Sequence, residues 1–398
     1  MGCARSIWNA KVEEERYYRT YARKYCTIGT YAPIDQTTSQ FKSKELSPWL
    51  SECPSQILRN SAVNWYQTYQ KFMSGKCGRP KRKPKTDKGS IYLTREVFRF
   101  DHCDDGNVRL FIGTKTNNIG YLSFKAHGKF EIPNSLYVRK ERGHYYVSFC
   151  YEQGQPDRKL STNEEHLAFL QGATREYLEE HTMGVDRGVA IPVCAGEQTY
   201  DFTHSQKKNM SKADRYIKRL QRKLARQQKG SNRRAKTKHR IAVHHAKKAN
   251  IRNDFAHKTS RLLVDSSAKI IVFEALRTAR MTRRPKAKQD EQGRFISNKA
   301  KQKAGLNKSI LNVGWHVIET YTYYKAYSSS KAVFKIPAPT TSQECAKCGH
   351  THPDNRKTQA LFVCGNCGNT DNADHNASLV IKKRAINLIL DTGTVLSG

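Results

Sequence analysis

Cys345-Ala-Lys-Cys348, fifteen residues, then Cys364-Gly-Asn-Cys367, with Asp374-His-Asn376 close behind: this stretch decides how the chain reads. Two Cys-x-x-Cys knuckles at that separation can set four thiolates tetrahedrally about one zinc ion, at about 2.3 Å each. Gly349 and Gly368 each follow a knuckle's second cysteine, where a tight turn lets backbone N–H groups face the sulfurs. The alternative is disulfide pairing, but paired knuckles with turn glycines in an intracellular protein favour a zinc ribbon. Four thiolates leave no open position for water or substrate, so this zinc is structural and the chemistry must come from elsewhere.

Carboxylates are the natural place to look. Asp374 opens the apolar-periodic run Ala377, Leu379, Val380, Ile381, Ile386, Leu388, which predicts a helix. On local sequence alone an N-cap is the simpler role for it. Upstream, Met183-Gly-Val-Asp186-Arg-Gly-Val-Ala-Ile-Pro-Val-Cys194 predicts an apolar strand with one acid near its start. Ala195-Gly196 turns the chain, and 197–202 can return as a hairpin partner. Lys269-Ile-Ile-Val-Phe-Glu274 repeats the device, a short apolar strand ending in a carboxylate. Each acid taken alone could face water at a strand end; buried, it needs a partner or a metal.

The 398 residues suffice for two or three domains with their own cores. Lys and Arg number 71 against 35 Asp and Glu, a net charge of +36 that points to a polyanion partner. The 20 Tyr and 15 Phe offer surfaces on which bases could stack. No apolar run reaches the length of a membrane span and no signal peptide opens the chain, so no membrane role is expected. The seven cysteines outside the knuckles (Cys3, Cys26, Cys53, Cys77, Cys103, Cys150, Cys194) are scattered singly, which fits a reducing cytoplasm.

Four regions follow from the change of period. Residues 1–75 are helical, with Trp8, Tyr17, Tyr21, Tyr25, Leu58, Trp65 and Tyr69 at three- and four-residue spacings and Pro33, Pro48 and Pro54 as breaks. That aromatic stripe reads as core before it reads as a stacking platform. Residues 76–155 begin with Gly78-Arg-Pro-Lys-Arg-Lys-Pro-Lys85, a solvated linker or a phosphate-tracking arm. Short β-type runs follow, separated by Asp-Gly, Asn-Asn, His-Gly and Arg-Gly turns, and predict a small antiparallel barrel. Residues 156–180 read as a polar helical linker. Residues 181–398 hold the acids and the ribbon at 340–370, together with a basic helical pair over 207–263 and a basic loop over 277–303.

Two strand-borne acids and one helix-borne acid are what a two-metal phosphodiesterase requires, with Asp186, Glu274 and Asp374 as ligands of two Mg²⁺ ions. The order hairpin, helices, strand, helix, strand, helix matches an RNase H-like layout. Gly184-Val-Asp186-Arg-Gly188, Val272-Phe-Glu274-Ala-Leu276, Thr341-Ser-Gln-Glu-Cys345, the two knuckles, and Ala373-Asp374-His-Asn-Ala377 resemble the TnpB family. Asn250-Ile-Arg-Asn-Asp-Phe-Ala-His-Lys258 extends the match, with weaker echoes at Arg5-Ser-Ile-Trp-Asn9 and 143–149.

The resemblance implies an α/β multidomain chain: a RuvC-like nuclease with an inserted zinc ribbon, and a β-barrel with a helical recognition insert. It implies an Mg²⁺-dependent endonuclease encoded by a transposable element. A transposon-end guide RNA would direct it to cleave double-stranded DNA beside a short adjacent motif. Carried over by position, Asp186, Glu274 and Asp374 would bind Mg²⁺, and Cys345, Cys348, Cys364 and Cys367 would hold one Zn²⁺. A cytoplasmic, nucleoid-associated monomer is expected. The given sequence departs from the family pattern in starting almost at its first helix, where the family has a basic β-strand and a Pro-containing turn ahead of it, and in Arg187 and Ala275, which follow the first two acids. A miniature type V CRISPR effector shares this catalytic lobe and is the main alternative. A nuclease-inactive RNA-guided repressor would lack one or more acids, and all three are present.

Overall fold

The chain packs as two compact units, Met1–Gly154 and Gln155–Gly398. The structure is a computed structural model, and it describes all residues except 26–37, 86–87, 103–106, 127–129, 142, 152–159, 392–395 and 398. Cys26, Pro33, Cys103, the Asp-Gly turn at 105–106, the His-Gly turn at 127–128 and Arg142 lie outside the described residues.

In the first unit, helices α1 (Gly2–Tyr17) and α2 (Ser55–Met73) pack on each other and on strand β1 (Gly89–Thr94). Period-2 alternation then builds β2 (Phe98–His102), β3 (Asn107–Gly113), β4 (Asn118–Lys125), β5 (Ser135–Glu141) and β6 (His144–Ser148). They form two antiparallel three-stranded sheets, β1-β5-β6 and β2-β3-β4. Leu93, Leu110 and Leu136 from both sheets share one core with Ile7 and Leu58 of the helices. The described strands thus surround a common interior as two sheets, where a single small barrel was expected.

The aromatic stripe splits. Trp8 and Trp65 are buried, whereas Tyr17, Tyr21 and Tyr25 stand exposed on the far side. The basic stretch 79–85 is neither free linker nor free arm. Its proline-stiffened backbone cannot pair with itself. Trp8 Nε1 donates to the Lys81 carbonyl (2.9 Å), Asn9 bonds both backbone groups of Lys83, and Arg79 pairs with Glu15 at 2.7 Å.

In the second unit, one six-stranded sheet carries the architecture. Its strands are β7 (Thr182–Asp186), β8 (Val193–Ala195), β9 (Gln198–Tyr200), β10 (Ile270–Glu274), β13 (Ala332–Ile336) and β16 (Leu396–Ser397), in the order β16-β13-β10-β7-β8-β9. β10 lies parallel to both β7 and β13, and β8 returns antiparallel to β7. The run 183–194, expected as one strand, is therefore two. Arg187, Gly188 and Pro192 lie where the chain reverses.

The central strand β10 is buried along its whole length, so its side chains fill two cores by alternation. Ile271 and Phe273 meet helices α6 (Asn232–Asp265), α7 (Ala300–Val313) and α8 (Trp315–Ser328) through Leu263, Ile310 and Ile318. Ile270 and Val272 meet the C-terminal helix α9 (Ala373–Asp391) through Ile381 and Ile386. On that same face lie helices α3 (Asn163–Gln171) and α4 (Arg175–His181), whose Leu170 and Leu178 are buried in the core. The segment expected as a linker over 156–180 thus contributes core from residue 163 onward. Its polar residues face outward and its sparse leucines face the sheet, a pattern too thin to show in composition. Thr162 and Thr174 cap these two helices by accepting the N–H groups of Glu165 and Tyr177.

The basic helical pair is α5 (His204–Ala225) and α6, each started by a hydroxyl cap, at Thr203 and Ser231. Residues 277–303 carry a one-turn helix (Thr278–Met281) and the short strands β11 (Lys288–Gln289) and β12 (Phe295–Ile296), both exposed. Between β13 and α9 runs the cysteine-bearing segment with its own two-stranded sheet, β14 (Leu361–Val363) and β15 (Thr370–Asn372). No helix among the described residues is long and apolar enough to cross a membrane.

Candidate functional site

The four cysteine sulfurs converge. Among the described residues, Cys345, Cys348, Cys364 and Cys367 bring their ligand atoms all within 4.8 Å of one another. Cys345 and Cys367 stand 3.7 Å apart, and Cys348 and Cys364 stand 3.6 Å apart. A tetrahedron with metal–sulfur bonds of about 2.3 Å has edges of about 3.8 Å, so these spacings suit zinc. Both are far beyond a disulfide bond of about 2.05 Å.

Each knuckle is built by the same local turn. Gly349 N–H donates to Cys345 O (2.8 Å), and Cys345 N–H donates to His350 O (3.0 Å). Gly368 N–H and Cys364 N–H repeat the pair to Cys364 O and Asn369 O. Both glycines have positive φ, 77° and 68°, a conformation that a side chain would strain. The His350 N–H lowers the Cys348 thiol to about 6, while at Cys367 the Asn369 N–H is outweighed by the neighbouring sulfurs, which push that thiol up to about 12, so the four sulfurs do not ionise together without a cation between them.

The three acids come from three rigid elements of the second unit. Asp186 ends β7, Glu274 ends the adjacent parallel strand β10, and Asp374 lies in the first turn of α9. What brings the helix to the strand is Gly184. A Cβ at that position would lie 2.1 Å from Ser378 O and 2.6 Å from Lys382 N, both backbone atoms of α9. The missing side chain lets β7 and α9 touch, and Asp186 and Asp374 follow from that contact.

Asp374 does not cap its helix. Asn372 does, its Oδ1 accepting the N–H groups of Asp374 (2.9 Å) and His375 (3.3 Å). The Asp374 carboxylate is thereby left for other work, and the cap reading of the local sequence gives way.

The charges of the other two acids are felt at Asp186. Burial, then the charges of Glu274 and Asp374, push the Asp186 carboxyl up to about 7. Burial also raises Glu274 and Asp374 above the usual carboxylate range. Their oxygens spread more widely than the sulfurs, since among the described residues only the thiolates meet the 4.8 Å grouping.

Four supporting residues were given no role from the sequence. Arg356, from the segment between the knuckles, reaches Asp374 Oδ1 with its Nη2 at 3.2 Å. Thr341, buried just before the first knuckle, donates its hydroxyl to the Glu274 carboxylate. Asn376 is fully buried and clamps α9 to the first knuckle, donating to Glu344 O (2.7 Å) and accepting from Ala346 N (3.0 Å). Arg187 is buried, pairs with Glu319 at 2.6 Å and donates to the Glu274 carbonyl, with its guanidinium over the Phe273 ring. The residue that departs from the family pattern thus ties the ends of two acid-bearing strands together. Thr341 and Asn376 lay inside quoted motifs. Arg356 had no local signal at all.

Comparison with known proteins gives the same picture. Residues 148–284 match a family described as "Probable transposase", and residues 315–381 match "Cas12f1-like, TNB domain". The TnpB resemblance is borne out. InsQ of Escherichia coli (strain K12), named as a candidate RNA-guided DNA endonuclease, is 28% identical over 379 residues, covering 95% of this chain and 85% of that protein. The CRISPR-associated endodeoxyribonuclease Cas12f1 of Sulfoacidibacillus thermotolerans is 27% identical over 263 residues, covering 63% of this chain and 53% of that protein. The fold of the chain is similar to that of the protein in a solved structure described as the Cas12f1–sgRNA–target DNA complex. The TM-score is 0.52 at 13% identity, over 95% of this chain and 80% of that one.

Proposed function

We propose that this chain is the RNA-guided DNA endonuclease of a transposable element, with a RuvC-like active site at Asp186, Glu274 and Asp374. The observation that carries the reading is the approach of three carboxylates from β7, β10 and α9, Glu274 and Asp374 buried and Asp186 half-buried, with the charges of the other two raising Asp186. Acids desolvated beside one another are costly to fold and favour a cationic occupant. The donor set is all carboxylate oxygen, which fits Mg²⁺, while the four thiolates fit a single structural Zn²⁺.

Divalent ions bound there would supply charge neutralisation at the phosphate and an activated water. The chain's own part is positional. β7 and β10, tied at their ends by Arg187, hold Asp186 and Glu274 on adjacent strands, and Thr341 fixes the Glu274 carboxylate. Asp374 is presented by the capped first turn of α9, with the Arg356 cation beside it, suited to a non-bridging phosphate oxygen. InsQ, named as a candidate RNA-guided DNA endonuclease, and Cas12f1, named as a CRISPR-associated endodeoxyribonuclease, support the substrate class. A guide RNA from the transposon end and double-stranded DNA beside a short adjacent motif are the proposed partners. The Cas12f1 match leaves a miniature type V effector as the second reading, with the same site and chemistry.

The test is cleavage of a plasmid library by the chain co-expressed with its flanking element RNA, in Mg²⁺, with Asp186→Ala beside it. Guide-dependent double-strand breaks, reduced at least about a thousandfold in the variant, are expected for the loss of a metal-binding carboxylate. Cutting that persists in Asp186→Ala sinks the site assignment. Guide-dependent binding with no cutting by either protein makes the chain an inactive repressor.

A further inference from the structure

Helix α8 packs behind the strands that carry Asp186 and Glu274, and it reaches them through polar groups as well as apolar ones. Trp315 and Glu319 stand one helical turn apart on it. Trp315 Nε1 donates to the Gly188 carbonyl at 3.0 Å, and the Glu319 carboxylate holds Arg187 at 2.6 Å and Lys335 of β13 at 2.7 Å. Arg187 completes the connection. Its guanidinium lies 5.0 Å from the Phe273 ring centroid and donates to the Glu274 carbonyl, while its main-chain N–H faces the Asp186 carboxylate. One helical carboxylate thus holds three parallel strands near their ends, and two of those strands end in site acids.

Stability does not account for this arrangement. The Arg187 side chain is 2% exposed and that of Glu319 15%, and taking such charges out of water costs about as much as their attraction returns. Arg187 also buries an Nε–H that has no acceptor among the described residues, a further cost. An apolar filling of similar volume would serve the core as well. What the ions supply is direction. A planar fork held between a carboxylate and a carbonyl accepts one geometry, so the ends of β7 and β10 cannot slide past each other.

We propose, on the metal-site reading above, that Arg187 and Glu319 are positioning residues: they set how tightly the carboxylate site takes its divalent ions by locking Asp186 and Glu274 into one spacing from the α8 side. Groups that orient metal ligands from behind change affinity by about ten- to a hundredfold without touching the ion. Charge works in the opposite direction. Arg187 and Lys335 bring two cations behind the site and Glu319 one anion, so the triad as a whole repels a metal ion. Any strengthening of ion binding by these residues comes from position.

The experiment uses the full chain and Mn²⁺ as the probe, titrated while the EPR signal of the free ion is read, with Asp186→Ala beside the wild type. The triple variant Arg187→Met, Glu319→Leu, Lys335→Met replaces the ions with apolar groups of similar reach and should unfold at or above the wild-type temperature. It should nevertheless bind Mn²⁺ at least about tenfold more weakly. Arg187→Lys keeps the charge and gives up the fork, and it should weaken binding too.

A role confined to packing predicts wild-type Mn²⁺ affinity in the triple variant, and charge alone predicts tighter binding; either result overturns the proposal. If the triple variant does not fold, wild-type affinity in Arg187→Lys overturns it instead. Binding by the wild type that is no stronger than binding by Asp186→Ala overturns the metal-site reading and the proposal together. Binding that is lost in Asp186→Ala but kept in the triple variant overturns the proposal alone.

Discussion

The thiolate and carboxylate constellations of the second unit are made in opposite ways. The thiolates are a local product. Two turns, each closed by a glycine at positive φ, aim four sulfurs at one point within a short stretch of chain. The carboxylates are a global product, since Asp186, Glu274 and Asp374 meet only after β7 and β10 pair and α9 packs across them. A local site announces itself by spacing. A global site announces itself only by residue type, and its geometry depends on contacts far from the acids. The two are nevertheless joined, because Asn376, Arg384 and Arg356 bind the cysteine segment to α9 and Asp374.

The largest expected effect breaks the local site. Cys364→Ser should lower bound zinc from about one ion per chain to near none, measured by metal analysis of the purified protein. Structural zinc contributes on the order of 10 kcal/mol, so the segment 340–372 should unfold locally. If the two sites are joined as described, amide exchange at the start of α9 should rise with it. Exchange in α9 that does not change would separate them again.

A smaller but still severe effect tests the global site. Gly184→Ala sets a methyl against backbone atoms of α9 that no rotamer change can clear, and should cost about 3 kcal/mol in a denaturant titration. Zinc content should remain unchanged, because the thiolate turns do not depend on β7. Loss of zinc in this variant would contradict the division between local and global construction.

The smallest effect concerns charge within the carboxylate site. Without added divalent ions, folded Asp186 holds its proton up to about 7, while the unfolded chain gives it up near 3.8. Between those values the folded state binds more protons, so this group's contribution to stability falls as pH rises through the window and levels off above it. The difference between wild type and Asp186→Asn should follow that slope, at about 1 kcal/mol per pH unit near pH 6. A flat difference across pH 4–7 would mean that the three carboxylates do not share one buried site.

Legibility in the sequence follows the same division. The knuckles, the acid-bearing strands and the helix after Asp374 could all be read from spacing and period. The run 183–194 was read as one strand because its apolar composition continues through the reversal that Arg187, Gly188 and Pro192 make. Helices α3 and α4 were read as linker because only Leu170 and Leu178 mark their buried face, and two leucines do not make a visible period. The stretch 79–85 was left open between linker and arm because its anchors, Trp8 and Asn9, lie far back in the chain.

What the sequence by itself determined is whatever depends on neighbours along the chain: the thiolate set with its turn glycines, the three acids as residue types, and a polyanion partner from the charge of +36. Tertiary structure alone decided that Asn372 rather than Asp374 caps α9, that Arg356 joins the acids, and that Arg187 braces Glu274. The physical reason is that a cap, a cation beside a carboxylate and a buried ion pair are each settled by which groups compete for the same few ångströms. Those competitors are separated in the chain and meet only through packing.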